Sequence, residues 1–160
     1  MALLADSPPS KSTEKCMRIA LVSCVKAKQT QPAPAAELYT SQLFRGLRMY
    51  ALTHADRWFI LSAEHGVLAP EVIVAPYERT LNRMRSLERR AWAERVQEQL
   101  RQVLPPASDV LILAGERYRE HLVSFLREHG FGVTVPLEGL SIGRQLQRLK
   151  QITTEASNVR

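Results

Sequence analysis

Four stretches of this chain are apolar almost without interruption: Arg18–Val22, Trp58–Leu61, Asp109–Ala114 and Gly132–Pro136. A strand with one wet face alternates polar and apolar residues, whereas a continuous apolar run reads as a strand covered on both faces, as in a parallel sheet. Parallel neighbours cannot be joined by a hairpin and need crossovers, usually helices. The intervening segments carry helical periodicity. Leu43, Phe44, Leu47, Tyr50, Ala51 and His54 share one face, and Leu87, Ala91, Val96, Leu100 and Val103 form a second stripe with Ser86 as its expected N-cap. Tyr118, Leu122, Phe125 and Leu126 form a third that closes at Gly130; Ile142, Leu146, Leu149 and Ile152 form a fourth, capped by Ser141. Strand and helix alternate throughout, which predicts an α/β fold: a three-layer α/β/α sandwich with a mostly parallel central sheet. At 160 residues one domain is expected, over residues 17–155, after a disordered leader rich in Ser, Pro and Lys over residues 1–16.

Charge narrows the class of partner. Lys and Arg number 22 against 16 Asp and Glu, a net +6, with an isoelectric point near 9.7. That surplus favours a polyanionic partner, DNA or a nucleotide, over a neutral one. Cys16 and Cys24 are too few for a disulfide framework or a closed zinc site and read as reduced thiols. No stretch approaches membrane-spanning length and no signal peptide is evident, so a cytoplasmic protein with no membrane partner is expected. Neither a cofactor nor a metal is called for, and nothing specifies a protein partner.

In open α/β sheets, ligands bind beyond the carboxyl ends of the strands. The second apolar run empties at once into Ser62, Ala63, Glu64, His65 and Gly66, followed by a long excursion from Val67 to Leu81. Ser62, Glu64 and His65 are the candidate catalytic cluster: Glu64 to orient a water or steady positive charge on a sugar, His65 as acid or base. A purely structural role for His65 stands beside that one. Neighbours along one turn do not align as a nucleophile–base–orienter triad. The candidate substrate contacts are Ser23, Cys24, Lys26 and Lys28 after the first run, Tyr39 and Ser41 before the first helix, and Gly66, Tyr77 and Arg79 near the turn. Lysines suit phosphate, and an aromatic ring with a guanidinium suits base and phosphate. Cys24 reads better as a buried thiol than as a nucleophile. Tyr39 and Ser41 read equally as a packed ring and a helix cap. Between Arg79 and Arg101 seven arginines face three glutamates. Within that segment Arg83, Arg85, Arg89 and Arg90 are candidate DNA-phosphate contacts, with Ser141 and Arg144 at the last helix start. A solvated charged face is the competing reading. Gly115-Glu116-Arg117-Tyr118, after the third run, completes the rim.

Two resemblances bear on these residues. Ile60 to Pro70, with Pro76-Tyr77, resembles the central motif of YaaA-type peroxide-stress proteins. Leu21 to Lys28, Leu38 to Phe44 and Gly139 to Leu149 are similar to a family of small, largely uncharacterised bacterial domains, and that likeness covers most of the chain after residue 17. The resemblance implies a uracil-DNA-glycosylase-like architecture and DNA binding linked to oxidative damage. YaaA-type proteins are longer, and the water-activating motif of established uracil-DNA glycosylases is not recognisable here.

The leading expectation is therefore a DNA- or nucleotide-binding protein, with hydrolysis of the N-glycosidic bond of a damaged or deaminated base as its chemistry. A base taken from duplex DNA must be flipped into a pocket. Two alternatives stand: a non-catalytic DNA-binding oxidative-stress protein, and an enzyme acting on free nucleosides or nucleotides.

Overall fold

In the computed structural model, residues 16–24 and 27–158 are described, with side chains as far as residue 152. Most of the expected leader, and Lys26, lie outside them. The apolar runs form the strands they predict: β1 (Arg18–Ser23), β3 (Arg57–Ser62), β6 (Asp109–Leu113) and β7 (Gly132–Thr134). After each opening residue or two, β1, β3 and β6 are buried along their whole length, as strands covered on both faces must be. By contrast β7, at the edge of the sheet, is exposed at Gly132 and Thr134 and only partly buried at Val133, so the fourth run is not covered on both faces. Together with the short β4 (Gly66–Leu68) they build a five-stranded sheet in the order β4-β3-β1-β6-β7. All neighbours are parallel except β3 and β4, which form a hairpin pairing Ser62 with Gly66. A second, two-residue pair joins β2 (Ala33–Pro34) to β5 (Ile73–Val74), tying the loop after β1 to the excursion after β4.

The helices follow from crossover handedness. From β1 the chain runs through β2, the short α1 (Ala35–Leu38) and α2 (Gln42–His54) to β3; from the β3–β4 hairpin it returns through α3 (Ser86–Val103) to β6, on the other side of β1. Right-handed crossovers running in opposite directions put their helices on opposite faces. Consistently, α6 (Ile142–Asn158) packs on α2, where Gly46 lies against Leu149, while α3 contacts α4 (Glu116–Arg119) and α5 (Val123–Glu128) through Trp92 on Tyr118 and Arg101 over Phe125. This is an α/β fold with a mostly parallel central sheet.

The local sequence signals meet three differences in the structure, the first being that α3 buries Trp92, Ala93, Val96 and Leu100 and leaves Leu87 and Ala91 of the expected stripe exposed. Ser41 caps α2 by accepting from the Phe44 N–H at 3.0 Å. At the end of α5, Gly130 adopts φ +85° and Phe131 N–H returns to the Leu126 carbonyl at 3.0 Å, a glycine-closed terminus. The start of α3 is shifted: Arg85 is the N-cap, Ser86 opens the helix, and Glu88 accepts from the Arg85 N–H at 3.0 Å. The third stripe is two short helices, not one, because the chain turns between Arg119 and Val123.

Candidate functional site

The Ser62–Gly66 segment is a tight hairpin turn held by its backbone. Ser62 is fully buried, and its Oγ accepts from the N–H groups of Glu64 (3.2 Å) and His65 (3.0 Å). Three residues of α3 complete the clamp. Trp92 Nε1 donates to the Ser62 carbonyl at 2.9 Å and Arg95 to that of Glu64 at 3.1 Å. Gln99 donates to the His65 carbonyl at 3.3 Å and accepts from the Val67 N–H at 2.9 Å. Positions 92, 95 and 99 lie on one helical face, which explains why α3 can grip three carbonyls of the turn. Gly66 has φ +74°, which favours glycine, and a Cβ there would push the Gln99 carboxamide off its bonds to the turn. The turn's outward groups are more exposed. His65 lies edge-on to Tyr77, and the Glu64 carboxylate faces Arg79 at 3.8 Å.

From Ser62 a chain of hydroxyls runs through Tyr77 to Tyr39. With both backbone donors on its oxygen, Ser62 gives its own proton to Tyr77 at 2.6 Å, and Tyr77 in turn meets the Tyr39 hydroxyl. Burial pushes both phenols well above their usual range, and the nearby Cys24 adds to the shift. They therefore serve as neutral hydrogen-bonding groups. Tyr39 is buried and tilts against Phe44. Lys28 Nζ sits over both rings, 4.6 Å from the Tyr77 centroid and 5.6 Å from that of Tyr39. Burial lowers its pKa, partly offset by Cys24 and Glu78.

Lys28 also forms part of the wall of a cavity of about 570 Å³. This space opens one strand over from the hairpin turn, where Ser23 and Cys24 end β1 and Leu113, Ala114 and Gly115 end β6. Connections leave β1 and β6 in opposite directions, so this is the sheet's topological switch point, the place where open α/β sheets bind ligands. Its apolar lining comes from Leu43, Leu47, Ile112, Leu113, Val135, Leu137 and Ile142. Cations border it at Lys28, Arg79, Arg83, Arg117 and Arg119, with carboxylates at Glu78 and Glu116. Tyr118 and Cys24 meet in its wall, hydroxyl to sulfur at 3.3 Å, both buried. Burial and the adjacent Cys24 hold the Tyr118 phenol protonated far above its usual range.

The candidates thus divide. Ser23, Cys24, Lys28, Arg79 and Arg83 line the cavity; Ser62, Glu64, His65, Gly66, Tyr39 and Tyr77 form the adjoining turn and hydroxyl chain. Lys26 lies outside the described residues. Arg89 is spent inside the fold, donating from Nε to Glu120 at 2.8 Å and from Nη1 to the Met84 carbonyl at 2.7 Å; that bond holds the Glu120 carboxyl below its usual range. Arg85 and Arg90 are exposed on the first turns of α3. Ser141 accepts from the Arg144 N–H at 3.3 Å and so acts on the helix start, while α6 reaches the cavity through Ile142 and Gln145. Sequence reasoning passed over Glu78, Thr80, Asn82 and Gln145, which line the cavity from loop and helix positions with no motif of their own. Among the described residues no three His, Cys, Asp or Glu side chains converge as a metal site, and no helix is long and apolar enough to cross a membrane.

Fold and site together define an α/β protein with a polar-rimmed, apolar-floored cavity at its switch point. The chain belongs to DUF6884, a family of unknown function, whose pattern matches residues 19–151. The uncharacterized protein YfjM of Bacillus subtilis (strain 168) is 28% identical over 147 residues, covering 86% of this chain and 96% of that protein. No solved structure matches the chain.

Proposed function

We propose that this protein binds DNA by taking one nucleotide into the switch-point cavity. The observation that carries this reading is the pairing of an apolar floor with a cationic rim in a space large enough for a nucleoside. The base packs against Leu113, Val135 and Leu137, and the flanking phosphates meet Lys28, Arg79 and Arg83. Arg85 and Arg90, exposed beyond Arg83, continue the cationic track past the cavity, which favours a strand over a free mononucleotide. The likeness to YaaA-type proteins supports the same class of ligand. The free Cys16 and Cys24 fit a reducing, cytoplasmic setting.

Where the bound base is damaged, the reaction is hydrolysis of its N-glycosidic bond. Water oxygen joins the sugar carbon as the carbon–nitrogen bond breaks, and the base leaves with a proton. The carboxylates assigned to this step are Glu78 and Glu116, which line the cavity. Glu64 faces Arg79 at 3.8 Å, and His65 lies edge-on to Tyr77.

Titration of a labelled single-stranded oligonucleotide at several salt concentrations tests the reading. Arg79→Ala and Arg83→Ala should each weaken binding and reduce the salt slope by about 1. Gly115 has open space where a side chain would project, so Gly115→Trp should plug the cavity without disturbing the fold and abolish insertion. Binding that ignores Gly115→Trp but needs the arginines places the DNA on the surface and ends the cavity reading. Incubation with oligonucleotides holding uracil or oxidised bases, scored for abasic sites, tests the chemistry. Abasic sites that vanish in Glu78→Gln or Glu116→Gln support it, and their absence with wild-type protein leaves a binding protein only.

A further inference from the structure

We infer that Lys28 gives the switch-point cavity a second activity, that of an abasic-site lyase, its amine forming an imine with the aldehyde of a deoxyribose that has lost its base. The inference rests on the reading of the cavity as a nucleotide site and goes one step past it, to the sugar that remains when a base is gone.

Three observations single out Lys28. Of the cations that border the cavity, Arg79, Arg83, Arg117 and Arg119 cannot shed a proton in a protein, whereas Lys28 can. Its backbone is fixed: Lys28 pairs with Tyr39 in an isolated antiparallel bridge, bracketed by two hydrogen bonds. The Gln29 N–H donates to the Leu38 carbonyl at 2.8 Å, and the Thr40 N–H to that of Ala27 at 3.0 Å. Its side chain is placed as well, with Nζ 4.6 Å from the Tyr77 centroid and 5.6 Å from that of Tyr39, two rings of the hydroxyl chain that starts at Ser62. A nucleophile gains most of its rate from being held in this way.

Protonation state decides which of two roles the amine plays. Burial lowers the Lys28 pKa, against the opposing pull of Cys24 and Glu78, so at a given pH more of the amine is neutral than in a solvated lysine. Charged, it meets a phosphate of an intact strand; neutral, it attacks carbon. Cys24, the other nucleophile of the wall, bonds Tyr118 at 3.3 Å, and a thiol added to an aldehyde does not make the electron sink that cleavage needs.

The bonds balance without a redox partner. The Lys28 nitrogen attacks the aldehyde carbon of the ring-opened sugar, and water leaves as the carbon–nitrogen double bond forms. The protonated imine draws electrons from the neighbouring carbon, whose proton passes to the carboxylate of Glu78, which also lines the cavity. The next carbon then loses its bond to the phosphate oxygen, the phosphate leaves with the electron pair, and the strand is cut. Water hydrolyses the imine, returning the amine and leaving an unsaturated aldehyde on the cut end.

The full-length chain should be incubated with an oligonucleotide carrying a preformed abasic site, with and without sodium cyanoborohydride. The reductant turns the imine into a stable amine, so a covalent protein–DNA adduct is expected on a denaturing gel, and peptide mapping should place it on Lys28. Without the reductant the strand should be cut on the 3′ side of the abasic site. Lys28→Arg keeps the cation and removes the nucleophile; at saturating oligonucleotide it should lower adduct and cutting at least about a hundredfold, with melting temperature retained. An adduct that is absent, maps to another residue, or survives Lys28→Arg overturns the proposal. Because the abasic site is supplied ready-made, the outcome does not depend on whether the protein removes bases. Salt-sensitive binding through Arg79 and Arg83 without an adduct overturns the lyase alone, whereas no binding of intact or abasic oligonucleotide overturns the cavity reading with it.

Discussion

At the scale of single residues, Ser62 does more than its size suggests. One hydroxyl accepts from two backbone amides and starts the chain to Tyr77 and Tyr39, with Ser62 and Tyr39 buried and Tyr77 half-buried. Removing it takes the partner from two turn amides and the Tyr77 hydroxyl at once, and each such group kept from solvent costs about 1–3 kcal/mol. Ser62→Ala should therefore destabilise the fold by about 2–4 kcal/mol in urea unfolding, with the denaturant slope unchanged. Tyr77→Phe keeps the ring against His65 and Lys28 and should cost about 1 kcal/mol. Because both act in one network, the double variant should fall short of the sum by about 1 kcal/mol. Strict additivity would show that the hydroxyls are not coupled. The sequence marked Ser62, Glu64 and His65 as a turn rich in polar groups, and that was legible from the abrupt end of the apolar run. Which of them faces inward was not, because it depends on carbonyl-gripping side chains thirty residues away in α3.

At the scale of elements, the long strands and helices were legible because periodicity reports burial directly. The strand β4 and the β2–β5 pair were not, since three- and two-residue strands leave no periodic trace. Their presence changes the meaning of the turn: a return strand, not an open loop, follows Ser62, and α3 clamps it. The clamp makes its own prediction. Gly66→Ala both strains a φ of +74° and strikes Gln99, and should cost about 2 kcal/mol or more. Gln99→Ala removes the obstacle along with its bonds to His65 and Val67. The combined variant should thus be more stable than the two losses added, measured by thermal or urea unfolding. A double variant that is additive or worse would mean that the backbone conformation alone sets the need for glycine.

At the scale of the whole molecule, strand order decides where ligands go, and strand order is what a parallel pattern conceals. Each buried strand looks alike in sequence; that β6 lies beside β1, leaving β3 on the far side, follows from crossovers that only the folded chain reveals. The cavity consequently opens beside Cys24 and Gly115, with the hairpin turn as its neighbour and Lys28 bridging the two. That position gives Lys28 opposite effects on stability and on binding. Burial lowers its pKa from 10.5, so between the lowered value and 10.5 the unfolded chain holds more proton than the native one. Its contribution to stability must therefore rise with pH through that window. On the proposed reading, phosphate affinity should fall through it, because an ammonium meeting the anion would be lost. A phosphate bound as proposed would restore the charge, so binding just below 10.5 should take up a proton from solution. Calorimetry of oligonucleotide binding in buffers of different ionisation enthalpy measures that uptake, and Lys28→Met should remove it along with part of the affinity. Uptake that persists in Lys28→Met would place the phosphate on another titrating group and move the anion away from the β1 side of the cavity.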